Sequence, residues 1–329
     1  MKNALQKRNS CLLVLTALIW GIAFVAQSEG GDAVGPYTFN CIRCLIGSAV
    51  LVPVIMLLDK MGLTSKKPVT AAEKKTLLLG GVSCGVILCI ASNLQQLGIY
   101  FGSSAGKAGF LTACYILLVP ILGIFLKKKC GWNIWVGVAL TLVGLYLLCM
   151  NGSLSLQFSD VLLLLCALMF AVHILVIDHF SPLVDGVRMS CIQFLVAGVL
   201  SAIPMFFVDM GHSAAGIAAW APALLTLDAW IPILYAGILS CGAGYTLQII
   251  GQQGVNPTVA SLLMSLESVF SVLAGWVLLS EKMGAKELSG CALIFGAVVL
   301  AQIPVKNREK PEHISEKEKN QVNQSFPKE

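Results

Sequence analysis

Apolar residues run in ten long stretches separated by short polar breaks, at 11–27, 37–58, 77–99, 105–126, 132–150, 160–179, 188–208, 229–251, 258–280 and 286–304. A helix takes roughly 20 apolar residues to cross about 30 Å of hydrocarbon, so each stretch predicts one transmembrane helix. Barrel strands need apolar and polar positions to alternate, and runs such as 161–165 and 291–300 do not alternate. The predicted fold class is an all-α integral membrane protein with ten transmembrane helices.

The pattern also recurs along the chain. Displaced by 152 residues, Gln96 falls on Gln248, Gly102 on Gly254, Gly123 on Gly275 and Gly144 on Gly296; displaced by 150, Cys41-Ile42-Arg43 falls on Cys191-Ile192-Gln193. Each copy holds five spans, an odd number, so a second copy joined directly to the first enters the membrane from the opposite side. The expectation is two inverted five-helix repeats, 1–150 and 160–305, related by a pseudo-two-fold axis in the membrane plane. Residues 151–159 then form the linker, and 306–329, rich in Lys, Glu, Asn and Gln, a disordered cytoplasmic tail. Small-residue spacings such as Gly81-x-x-x-Gly85 and Ala105-x-x-x-Gly109 let helices approach closely.

Composition excludes a soluble protein: 57% of the 329 residues are hydrophobic and only 12% charged. The net charge of +5 is dispersed among the spans, which excludes a surface that tracks nucleic acid phosphates. Its placement reports topology instead. Lys2, Lys7, Arg8, Lys60, Lys66, Lys67, Lys74, Lys75, Lys127–Lys129 and Arg188 fall on one side, while 28–36, 151–159 and 209–228 hold no Lys or Arg. The positive-inside rule then puts both termini on the cytoplasmic side of the membrane. The fit is weaker in the second half, where the outer 280–287 loop is charge-balanced and the inner 252–257 loop uncharged. Lys7-Arg8 and the apolar run behind them also have the form of a signal peptide. Because Ala17-Leu18 aligns with Ala167-Leu168 at the 150 offset, retention of this segment is expected. The twelve cysteines are expected to be reduced, small apolar packing residues, with no disulfide framework and no metal site. No G-x-x-x-x-G-K-[ST] occurs, so nothing points to ATP or to any other cofactor.

Several segments together resemble a known family. They are Trp20-Gly21, Arg43, Leu94-Gln95-Gln96-Leu97-Gly98 with Ser103-Ser104-Ala105-Gly106, Asn256-Pro257-Thr258, Ser265-Leu266-Glu267-Ser268-Val269-Phe270 and Ser280-Glu281-Lys282. In order and spacing, to about residue 304, they resemble the EamA family of the drug/metabolite transporter superfamily. The resemblance implies ten helices in two inverted repeats, a bacterial or archaeal inner membrane, and export or exchange of small metabolites such as amino acids. Ser268 stands where that family often has Pro, Lys127-Lys128-Lys129 where it often has Gly-Glu-Arg/Lys, and Lys107 where an apolar residue is common.

Charged and hydrogen-bonding side chains inside a membrane are costly unless paired or hydrated, which makes them the candidates for a site. Glu267 lies near the middle of the ninth span, and its mate at the 152 offset is Tyr115. The carboxylate suits a substrate amine or a transported proton; a helix-to-helix hydrogen bond is the competing role. Lys107 either meets an anionic group or extends to the interface. His173 either titrates in a proton-coupled cycle or packs. Trp20 and Tyr115 either stack on a substrate or fill space. Asn93, Gln95, Gln96 and Gln248 put amides on the third and eighth spans, with Gln95 and Gln96 about 100° apart around the helix. Arg43, whose mate is the neutral Gln193, is expected to be structural, tying helix ends together. Asp178 and His179 are expected to be solvated.

The expected function is a secondary transporter, a permease or exporter of small metabolites. It works by alternating access around a cavity lined by spans 1, 3, 4, 6, 8 and 9, with proton coupling or exchange. The competing reading is an intramembrane enzyme acting on lipid or isoprenoid substrates, but neither H-E-x-x-H nor D-D-x-x-D occurs. The expected partners are a small-molecule substrate and the lipid bilayer, with no nucleic acid; a homodimer is compatible with the chain.

Overall fold

A computed structural model describes residues 2–64, 66–102, 105–128, 131–149, 157–278 and 284–302. The expected tail at 306–329, most of the 151–159 linker, and Ser103-Ser104 and Ser280-Glu281-Lys282 of the family-like segments lie outside the described residues. So does the side chain of Lys107.

Helical runs occupy all ten expected positions. In the first half these are α1 (Lys2–Val34), α2 (Pro36–Lys60), α3 (Ala71–Tyr100), a broken span made of α4 (Ala105–Ala113) and α5 (Tyr115–Phe125), and α6 (Trp132–Cys149). In the second half α7 (Phe158–Phe180) is followed by α8 (Gly186–Pro204), which runs on as a π-helix over Met205–Asp209. After α9 (Ala214–Trp220), α10 (Leu227–Leu234) continues through a π-helix, Tyr235–Tyr245, into α11 (Thr246–Gly251). A second broken span, α12 (Pro257–Met264) and α13 (Leu266–Leu278), and α14 (Ala285–Gln302) complete the chain. Eight of the ten runs are long and apolar enough to cross a bilayer by length and composition. The other two, α6 and α14, have 18 residues each, at the short end of what a bilayer needs.

Helix boundaries follow local chemistry. Thr70 and Glu73 form a capping box at the start of α3, and Asp185 and Asn256 cap α8 and α12 with their side chains. The repeat-mated Gly102 and Gly254 stand just past the third and eighth spans with φ of 92° and 73°. That left-handed backbone is what glycine permits, which explains why both copies carry it there. The 209–228 stretch, expected as an outer loop, instead contains α9 and a 3₁₀ turn over Ala221–Leu225. The Ser213 hydroxyl starts α9 by accepting a bond from the Gly216 amide at 3.0 Å, and alanines then propagate it.

The contacts between the halves are themselves duplicated. A Cβ on Gly85 of α3 would meet the Gln193 carbonyl oxygen and the Val196 Cβ of α8, both at 2.7 Å. A Cβ on Gly237 would meet the Arg43 carbonyl oxygen at 3.1 Å and the Ile46 Cβ at 2.9 Å on α2. These residues are mates at the 152 and 150 offsets, so the third span packs on the seventh as the eighth packs on the second. α2 pairs with α8 and α6 with α14, each helix against its own mate, as a pseudo-two-fold relation requires. Gly85→Ala is expected to lower stability by about 1–3 kcal/mol, because its Cβ overlaps backbone that cannot yield. Gly296→Ala, with nothing within 4 Å of the added carbon, is expected to be neutral or stabilising. Thermal unfolding of both variants in detergent checks the difference.

Candidate functional site

Seven spans close around one cavity. Its walls carry Trp20 and Gln27 from α1, Arg43 from α2, Gln95 from α3, Thr112 from α4 and Tyr115 from α5. The second half adds Phe170 from α7, Ser240 and Tyr245 from the π-helix, Gln248 from α11, Met264 from α12 and Glu267 from α13.

The two broken spans supply its chemistry. α4 gives way to α5 at Cys114 and α12 to α13 at Ser265, so the breaks fall one residue before Tyr115 and two before Glu267. At the second break the Ser265 hydroxyl donates to the Leu262 carbonyl at 2.8 Å, and the Ser268 amide turns back to the Ser265 carbonyl at 3.2 Å. Cys114 (φ −57°, ψ −11°) and Ser265 (φ −62°, ψ −13°) keep helical backbone, so each break is one tightened turn, and the residues on both sides of each line the cavity. The Tyr115 hydroxyl donates to Glu267 Oε1 at 3.2 Å, joining the repeat mates across the pseudo-two-fold. Both residues are buried, at 4% and 5% exposure.

A basic side chain enters the same cavity from α2. Arg43 is 5% exposed, its guanidinium carbon stands 5.2 Å from the Phe39 ring centroid, and no ion pair joins it to a carboxylate among the described residues. Among the described residues, four buried polar atoms on the walls have no hydrogen-bond partner: the donors Trp20 Nε1 and Arg43 Nε, and the acceptors Gln27 Oε1 and Gln248 Oε1. The Trp20 ring lies 4.5 Å from that of Tyr245, tilted by 53°, and a side chain on Gly244 would displace its indole nitrogen. The π-helix thus sets both Ser240 and Tyr245 on the wall, in keeping with where such widened turns recur.

Trp20, Tyr115, Gln248 and Glu267 therefore come together, while other candidates do not. Asn93 is held within the helix packing, donating to the Cys89 carbonyl at 2.9 Å and the Ser201 hydroxyl at 3.0 Å while accepting from Asn40 at 2.9 Å. Gln96 donates to the Gln27 carbonyl at 2.8 Å, and it is Gln95, one residue earlier, that faces the cavity and bonds Thr112 at 3.4 Å. His173 is fully buried behind the wall, paired with Gln193 at 3.2 Å and edge-on to Tyr245. Arg43 lies on the cavity wall rather than between helix ends, two turns inside α2. Asp178, expected to be solvated, is ion-paired with Lys128 at 2.6 Å. Cys41 and Cys44 stand one turn apart as a C-x-x-C pair on α2, but both are free thiols, and no cluster of metal-ligating groups occurs among the described residues. Gln27, Thr112, Ser240 and Tyr245 are the polar wall residues that periodicity alone did not single out.

A duplicated, all-helical multi-pass membrane protein with a polar cavity walled by interrupted helices is built as a carrier. The chain belongs to the EamA-like transporter family, which it matches twice, over residues 8–150 and 157–302. It is a transporter and not an enzyme. An uncharacterized transporter of Archaeoglobus fulgidus is 25% identical over 299 residues, covering 89% of this chain and 85% of that protein. A crystal structure of a protein 17% identical in sequence has the same fold, with a TM-score of 0.70 over 90% of this chain and 96% of that one.

Proposed function

We propose that the protein is a secondary transporter of small zwitterionic metabolites, amino acids or related compounds, working by alternating access in the inner membrane with both termini cytoplasmic. The observation that carries this reading is that Arg43 and Glu267, a basic and an acidic side chain not ion-paired with each other, are both buried on the wall of one cavity. An uncompensated charge in such surroundings costs several kcal/mol, so a ligand that brings a carboxylate to Arg43 and an ammonium to Glu267 relieves both at once. Among the described residues the unpartnered donors of Trp20 and Arg43 are free to meet a substrate carboxylate, and the unpartnered acceptors of Gln27 and Gln248 an ammonium.

The same residue accounts for coupling. Once the ammonium leaves, the Glu267 carboxylate keeps only the Tyr115 hydroxyl as partner. The empty carrier returns cheaply only if Glu267 takes up a proton or a second substrate, which yields proton coupling or obligatory exchange. Units 1–150 and 160–305 are the bodies that rock about the cavity.

Equilibrium binding to the purified chain tests the reading. Among a panel of amino acids, those that bind are expected to lose at least about tenfold in affinity both as the amide, which lacks the carboxylate, and as the N-acetyl derivative, which lacks the ammonium. Equal binding of parent and both derivatives contradicts it.

A further inference from the structure

We propose that two cross-repeat latches, Asp59 with Arg188 and Asp209 with Thr38, at opposite ends of the α2/α8 pair, are the gates on either side of the cavity. α2 belongs to the first copy and α8 to the second, and as mates across the pseudo-two-fold they place the end of each beside the start of the other. At one end Arg188 Nη2 donates to both Asp59 oxygens at 2.7 Å. Lys67 adds a 2.8 Å ion pair to the same carboxylate, and Asp185 fixes Arg188 by accepting from its backbone amide at 2.9 Å. At the other end Asp209 Oδ2 accepts from the Thr38 amide at 2.6 Å and the Thr38 hydroxyl at 2.8 Å.

The two latches occupy one repeat position. At the 150 offset Asp59 is the mate of Asp209, and Thr38 the mate of Arg188. One copy makes the contact an ion pair; the other makes it a cap on the first turn of its neighbour's helix. The cap is fitted closely, because Gly35, with φ of 92°, has no room for a Cβ, which would lie 2.7 Å from Asp209 Oδ2. Trp220 Nε1 donates to the Thr38 hydroxyl at 3.0 Å and ties the α9 segment to the same point.

Each latch crosses the boundary between halves at one end only. Parting the halves at the Asp59 end breaks the ion pair and spares the cap; parting them at the Asp209 end does the reverse. Side-chain exposures of 22% for Asp59 and 14% for Arg188 leave the ion pair partly open at the end of α2. Hydration can therefore replace it on opening, which a fully buried pair would not allow so cheaply. Both latches are made in this structure, and Arg43, on the cavity wall, lies between them along α2.

The gating role rests on the alternating-access reading, but its test needs no substrate. Hydrogen–deuterium exchange is measured on the full chain in lipid nanodiscs for the parent, Arg188→Gln, Arg188→Lys and Asp209→Asn. Arg188→Gln is expected to speed exchange roughly tenfold at 59–64 and 185–190 while leaving 35–40 and 209–216 unchanged. Arg188→Lys is expected to restore most of that protection, and Asp209→Asn to loosen the second set alone. Loosening of both ends by either variant, or of neither end, overturns the proposal. End-selective loosening in a protein that binds none of the tested amino acids upholds the latches and defeats the zwitterion reading.

Discussion

Glu267→Gln is expected to weaken binding of an amino-bearing substrate by roughly 10- to 100-fold, the worth of about 1.5–3 kcal/mol for a hydrogen bond to a charged group. The substitution keeps the shape of the side chain and an oxygen that can accept from the Tyr115 hydroxyl, now 3.2 Å from the carboxylate. The break between α12 and α13 and its serine hydrogen bonds are untouched, so the fold is expected to hold. Removing a buried carboxylate with a single neutral partner relieves a desolvation penalty, and the thermal midpoint of the empty protein is expected to stay the same or rise. The effect therefore falls on the ligand. It should be largest for substrates with a free ammonium and nearly absent for their N-acetyl derivatives, which have nothing to present to Glu267.

Arg43→Gln is expected to be the more damaging change, by roughly 30-fold or more in binding, because it strands a substrate carboxylate in a desolvated cavity, where losing one partner of a charge pair costs about 2–5 kcal/mol. Glutamine is a considered choice: Gln193 holds the mated position in the other half, so the α2 backbone is expected to accept it. The diagnostic is selectivity. In Arg43→Gln the amide of a substrate should bind as well as the acid, whereas the protein with Arg43 should favour the acid. Combining the two substitutions measures whether the poles act on one ligand: coupled losses are expected for one zwitterion bridging both, and additive losses would mean two separate ligands.

Much of the fold is legible in the sequence because a bilayer leaves few options. Every backbone polar group must be satisfied within a span, so ten apolar runs mean ten helices, and their odd number per copy means inversion. The breaks at Cys114 and Ser265 are not legible, since neither position carries the Pro or Gly that marks an interruption. Nor is the π-helix over Tyr235–Tyr245, which turns Tyr245 onto the wall from a register that a regular helix would not give. The site shows the same division. The repeat offset alone pairs Tyr115 with Glu267, and the hydrogen bond between them follows. Rotation about a helix axis is invisible to an offset, so Gln96 turns to the Gln27 carbonyl and its neighbour Gln95 faces the cavity. Arg43 resembles a residue that ties helix ends because its depth is readable in the sequence while the missing carboxylate beside it is not.

Uptake of a labelled amino acid into proteoliposomes, driven by a counter-gradient of the same compound or by a pH gradient and compared between the parent chain and Glu267→Gln, tests the central claim most directly. The account predicts saturable uptake by the parent under at least one of these drives, falling roughly 10-fold or more in the variant at subsaturating substrate. Uptake by a folded Glu267→Gln protein at the parent's rate, for every compound the parent moves, would contradict it.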